Sequence, residues 1–99
     1  MLYRHGDVLI QKVSEKPTGS RKLNHVILAH GEVTGHSHRI KTNSSARLYE
    51  TPDDLFLEVT SETAEVIHEE HATIKLPQGT YRVWRQREYS PTEIRIIRD

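Results

Sequence analysis

Ala64-Glu65-Val66-Ile67-His68-Glu69-Glu70-His71-Ala72-Thr73-Ile74-Lys75-Leu76 sets two apolar, partly β-branched runs on either side of four polar residues. On a helix, the three-residue spacing of His68 and His71 would put both imidazoles on one face. A tight turn between two strands achieves the same by drawing its ends together. The flanking runs alternate as strands do, so the reading is strand, turn, strand. That reading makes the chain a β protein and puts two histidines and two carboxylates on one connection.

Outward from this hairpin, the short-range signals are again for strands. Asp7-Val8-Leu9-Ile10-Gln11-Lys12-Val13 is bounded by Gly6 and by the turn-like Lys16-Pro17-Thr18-Gly19-Ser20. His25-Val26-Ile27-Leu28-Ala29-His30 ends at Gly31, and Leu55-Phe56-Leu57-Glu58-Val59 follows the turn Thr51-Pro52-Asp53-Asp54. Pro77-Gln78-Gly79 is expected to separate the strand ending at Leu76 from Thr80-Tyr81-Arg82-Val83-Trp84. A last strand is expected over Glu93–Arg98, after Ser90-Pro91. Asp53-Asp54 could cap a short helix towards Val66, but Val59-Thr60 argues against it. Lys41–Ser45 reads as an exposed hairpin tip. Seven to nine short strands with Pro/Gly turns between them predict an all-β fold with little helix, a small single-domain barrel or sandwich over residues 1–99, cupin-like or jelly-roll-like.

Only 34% of the residues are hydrophobic, and a chain of this length buries about two-thirds of its unfolded surface. So thin a core needs support from a disulfide, a metal or self-association. The sequence has no cysteine, which excludes disulfides, thiolate zinc sites and thiol nucleophiles. A bound metal and a homo-oligomer are therefore expected. Fourteen Lys and Arg balance fourteen Asp and Glu, so no global field draws in nucleic acid or an anionic membrane. Nucleic acid stays open as a partner. The lack of a membrane-length apolar run or signal-like start points to a cytoplasmic protein with no membrane partner.

Seven histidines are far more than composition alone supplies, and five lie within 30–38 and 68–71. In Gly35-His36-Ser37-His38, residues two apart on a strand face the same way, so His36 and His38 can reach one point. Gly31 and Gly35 would let the backbone bend there. With His68 and His71 they offer three or four nitrogen ligands, and Glu69 or Glu70 could act as an oxygen ligand or a base. Such a set suits zinc first, with iron, manganese, nickel or copper also possible. Either pair alone would be a weak signal, and His68-Glu69-Glu70-His71 is one residue shorter than the zincin spacing. The expectation therefore rests on the two pairs converging. His5, His25 and His30 read as core-edge or surface residues, with His30 a reserve ligand.

In Tyr81-Arg82-Val83-Trp84-Arg85-Gln86-Arg87-Glu88-Tyr89, a strand would put Tyr81, Val83, Arg85, Arg87 and Tyr89 on one face. Neither face alternates cleanly, as in a strand lining a polar site. Arginine's planar fork suits carboxylate or phosphate, so Arg85, Gln86 and Tyr89 are expected to bind substrate, with Arg87 in a catalytic role beside Glu69 and Glu70. The plainer reading of Arg85, Arg87 and Glu88 is a solvated ion-pair ladder.

Gly35-His36-Ser37-His38, followed by a Leu76-Pro77-Gln78-Gly79 turn before a strand, resembles the cupin pattern, which implies a metal inside a small β-barrel. The sequence departs from that pattern where Lys41–Ser45 stands in place of a carboxylate and Tyr81-Arg82 in place of a last histidine. The motifs Gly35–His38, His68–His71, Leu76–Tyr81 and Gln86–Tyr89 together also resemble a small bacterial and phage family with which no activity is associated.

Three functions follow as expectations. The first is a metal-dependent hydrolase acting on a small anionic or phosphate-containing substrate, with an iron oxygenase as a variant. The second is a non-enzymatic, metal-stapled module for oligomerisation or partner binding. The third is a metal-free phosphodiesterase of ribonuclease type, with histidines as acid and base.

Overall fold

A computed structural model describes residues 1–31, 33–89 and 94–96, with 87–89 and 94–96 described as backbone. The strands in chain order are β1 (Leu2–His5), β2 (Val8–Val13), β3 (Arg21–Lys22), β4 (Ile27–His30) and β5 (Ser37–Ile40). They continue as β6 (Ala46–Glu50), β7 (Leu55–Ile67), β8 (Ile74–Arg85), β9 (Arg87–Tyr89) and β10 (Ile94–Ile96). Among the described residues the only helical element is a 3-10 turn at Asn43–Ser45. Among the described residues no helix is long and apolar enough to cross a membrane.

The hairpin read from Ala64–Leu76 is the backbone of the fold. β7 and β8 pair antiparallel along most of their lengths, from Leu55↔Val83 to Val66↔Ile74. On either side the sheet continues in the order β1-β2-β8-β7-β5-β4, while β6 also pairs with β7 and carries β3. Every pairing among the described residues is antiparallel, and the sheet curls into a half-barrel. β9 and β10 pair antiparallel as a separate two-stranded sheet.

Two local expectations are corrected. Pro77-Gln78-Gly79 does not break the chain, because it lies within the continuous strand β8. The register steps from Val59↔Gly79 to Thr63↔Pro77, so three β7 residues face Gln78 alone. A bulge of this kind bends and twists a strand pair, and beside it a proline is tolerated. The Gln78 side chain donates to the Thr60 carbonyl across the bulge (2.9 Å). The turn that the cupin-like pattern expects at this place is thus a curl in a long strand.

Lys41–Ser45 is also no hairpin tip. β6 pairs with the first half of β7 (Ala46↔Val59 to Glu50↔Leu55), and β5 pairs with its end (Arg39↔Ile67, Ile40↔Val66). The segment therefore jogs along one edge of β7, passing one strand partner to the next. The Ser45 hydroxyl closes the jog by donating to the Thr42 carbonyl at 2.7 Å.

The core inside the curl includes Val8, Ile10, Leu48, Leu57, Val59, Val66, Leu76, Tyr81 and Val83. Each large aliphatic buried there contributes about 1.5–3 kcal/mol. Alternation on β8 sends Tyr81 and Val83 inward, while Arg82 lies over the Trp84 ring at 4.5 Å and bonds Asp54. Burial raises the Tyr81 phenol above its ordinary pKa, with nearby Tyr3 adding to the shift, and the phenol donates to the Pro77 carbonyl at 2.6 Å. At the end of the barrel near Val8 and Val66 the apolar lining gives way to histidines.

Candidate metal centre

Three connections meet at that end. His5 closes β1, and Gly6-Asp7 turns the chain into β2, with His5 paired to Val8. Gly6 has φ +62, and glycine at the first central position is what a two-residue type II′ hairpin requires. The β4–β5 hairpin is closed by Gly31 N–H to the His36 carbonyl (2.9 Å) and brings His36 and His38 to the site. The β7–β8 connection brings His68–His71.

The structure brings together all four histidines of the two sequence pairs. Ring centroids lie 4.4 Å apart for His38–His68, 4.7 Å for His68–His71, 5.5 Å for His38–His71 and 5.6 Å for His36–His68. His36 and His38 therefore both approach His68, the first half-exposed and the second fully buried. One ligand atom each from His38, His68 and His71 lies within 4.8 Å of the others, and the same holds for His36, His68 and Glu69. The two groups share His68.

His5 joins the cluster, which corrects its reading as a core-edge residue. It is buried, its Nδ1 lies 2.9 Å from Nδ1 of His38, and its Nε2 is 2.9 Å from the Ala72 carbonyl. Burial lowers its pKa below 6.5, and His71 and His68 push it further down against the Ala72 bond. Asp7, also buried, has Oδ1 3.5 Å from Nε2 of His38 and Oδ2 2.7 Å from Nε of Arg85. The Arg85 contact is a close ion pair, not aligned as a hydrogen bond. Neither His5 nor Asp7 was expected, although a Gly-Asp pair between two β-type runs is a hairpin signal.

Gly6 lies against the site. A Cβ there would stand 2.8 Å from His71 Nε2 and 3.0 Å from His38 Cε1. His71 Nε2 is itself buried with no hydrogen-bond partner among the described residues. An unsatisfied buried imidazole nitrogen calls for an explanation, and an ion is one.

The carboxylates divide. Glu69 accepts from Ser37 N–H at 3.1 Å and pairs with Arg39 Nη1 at 2.9 Å. Its own backbone N–H, Ser37 N–H and Arg39 hold its pKa below the ordinary carboxylate value. Glu69 therefore clamps the β7–β8 connection to β5. Glu70 is exposed, with Oε2 3.6 Å from Nδ1 of His36.

Of the residues assigned to substrate, Arg85 is held by Asp7 and donates to the His30 carbonyl. Gln86 accepts from Arg4, and its N–H donates to the Asp7 carbonyl at 2.7 Å. The side chains of Arg87 and Tyr89 lie outside the described residues. His30 is exposed and His25 accepts from Ile27 N–H, and neither ring is in the cluster.

The chain belongs to the family described as Domain of unknown function (DUF8820), whose model matches residues 4–86. The matched span contains every residue of the histidine cluster. No curated protein and no solved structure matches the chain.

Proposed function

We propose that the chain binds one divalent transition metal, zinc before iron, manganese or nickel, through His38, His68 and His71, and hydrolyses a small anionic substrate there. The observation that carries this reading is that one ligand nitrogen from each of those three imidazoles, from two distant parts of the sequence, lies within 4.8 Å of the other two. Three neutral nitrogen ligands without cysteine leave a position open, as catalytic rather than structural zinc sites do.

The fit differs among the ligands. His71 Nε2 already lacks a competing partner. His68 needs a local change, because its Nδ1 accepts Glu70 N–H at 2.9 Å. An ion held at Nδ1 would need that lone pair, and an ion held at Nε2 would leave the ring proton on Nδ1, so the bond from Glu70 would be lost in either case. When bound, the metal supplies Lewis acidity and lowers the pKa of a coordinated water.

The chain's own residues take the remaining roles. His36 and Glu70 flank the exposed side of the cluster and are the proton-transfer pair, since Glu69 is committed to Ser37 and Arg39. Arg39 and Arg85 are already paired with Glu69 and Asp7, so the attraction for an anionic substrate comes from the bound ion itself.

A second reading is a metal staple without catalysis. It is favoured by the way the site ties three connections at one end of a thinly cored sheet. Elemental analysis, followed by assay of the zinc-loaded chain against phosphomonoester, phosphodiester and amide substrates, separates the two. One zinc per chain with chelator-sensitive hydrolysis supports the enzyme. One zinc with stabilisation and no turnover supports the staple. No bound metal under any loading condition removes both.

A further inference from the structure

We infer that His5 is a positioning residue that fixes the tautomer of His38, so that Nε2 of His38 is the atom offered to the ion. The consequence for binding rests on the metal reading above, but the tautomer itself does not.

The assignment follows along a chain of three groups. The Ala72 carbonyl can only accept, so His5 Nε2, 2.9 Å away, carries a hydrogen. In the neutral ring, His5 Nδ1 then holds a lone pair. His38 Nδ1 lies 2.9 Å from that atom and must be the donor. A proton on His38 Nδ1 leaves the lone pair of the neutral ring on Nε2. The reverse arrangement would make His5 an imidazolium enclosed beside His68 and His71, whose rings lie 6.5 and 5.7 Å away.

Both nitrogens of His5 are therefore engaged, and His5 is not itself a ligand. Metal-bound histidines are commonly oriented this way, with the second N–H given to a fixed acceptor, which also raises ligand basicity. Here the acceptor is another imidazole, anchored by the backbone of the β7–β8 connection. On the opposite edge of the His38 ring, the Asp7 carboxylate stands 3.5 Å from Nε2, pinned by Arg85. Its negative field favours a cation at that nitrogen. The two residues flanking Gly6 thus stand at both edges of His38, His5 fixing its proton by hydrogen bond and Asp7 placed to attract an ion at Nε2.

Imidazole nitrogen NMR of the metal-free full chain at neutral pH tests the assignment directly. We expect His38 to carry its proton on Nδ1, and His5→Phe to release it into a mixture of tautomers. In a competition titration with zinc alone, His5→Phe is expected to keep one ion per chain while weakening the Kd by about 10–100-fold. His5→Asn, whose amide oxygen can accept in place of Nδ1, is expected to recover most of the loss. A proton found on Nε2 of His38 in the metal-free wild type overturns the inference. So does zinc binding by His5→Phe that equals the wild type, or that vanishes as for a lost ligand. If the wild type takes up no zinc, the metal reading fails, and the tautomer spectrum alone decides whether His5 sets the protonation of His38.

Discussion

The backbone N–H of Glu70 donates to Nδ1 of His68 at 2.9 Å, so the connection that delivers this histidine also restrains it through an atom whose state a metal would change. Saturating zinc should therefore release the Glu70 amide. The measurement is amide hydrogen exchange, with the backbone amide shift alongside. Faster exchange at Glu70 with zinc, against slower exchange in β7 and β8, is the expected pattern. An unchanged Glu70 amide at full zinc occupancy would exclude His68 from the ligand set.

His71→Gln and His38→Ala should each abolish stoichiometric zinc binding, read by elemental analysis after dialysis. A ligand at a hundred times its Kd adds about 2.7 kcal/mol to stability. The wild-type melting temperature should accordingly rise with zinc, and those of the variants should not. His38 is fully buried, so its alanine variant also loses packing. His71, only partly buried, gives the cleaner comparison. Equal zinc-dependent shifts in His71→Gln and wild type would dismiss the ligand.

Gly6→Ala should damage the site and the fold together. The position has φ +62, and the new Cβ would meet His71 Nε2 at 2.8 Å. Holding a non-glycine residue in that conformation costs about 1–3 kcal/mol, and His71 must move as well. The expected outcome is a lower urea midpoint plus weaker zinc binding. A variant as stable and as tightly binding as the wild type would show that the turn has room it does not display.

Acid should weaken the fold by two routes of the same sign. The Glu69 pKa in the folded chain lies below the ordinary 4.5, so its stabilisation is complete above 4.5 and fades as pH drops through the folded value. His5 has a folded pKa below 6.5, so the unfolded chain takes up protons first and stability begins to fall below 6.5. Urea midpoints between pH 8 and 3 should show both stages. Glu69→Gln should flatten the lower one and His5→Phe the upper. A wild-type midpoint that stays level from pH 7 to 5 contradicts the His5 contribution.

Much of this architecture is legible in the chain because local signals and tertiary pairing agree. Val66, Ile67 and Ile74 flank a polar tetrad, and the hairpin forms there. Tyr81, Val83 and Arg85 alternate with Arg82 and Trp84, and the inward face leads from the core to Asp7. Proline and glycine at 77 and 79 mislead, since a bulge opposite them produces a bend where local chemistry predicts a break. Lys41–Ser45 misleads for a related reason, because a polar stretch says nothing about which edge its two ends share. The pairs 36/38 and 68/71 announce themselves by spacing. His5 and Asp7 do not, for their place depends on β1 and β2 folding beside β8. The hold of Arg39 and Ser37 on Glu69 is likewise a long-range contact without a local pattern.

The histidine cluster draws on residues 5, 36, 38, 68 and 71, which lie on three different hairpins, so no single hairpin contains a working version of it. The β1–β2 turn, the β4–β5 hairpin and the β7–β8 hairpin can each form early from nearby residues, but their meeting requires distant segments to close, the slow step in β proteins. High-affinity uptake of an ion would thus report completion of folding, arriving after the hairpins and vanishing at the first opening of any one of them.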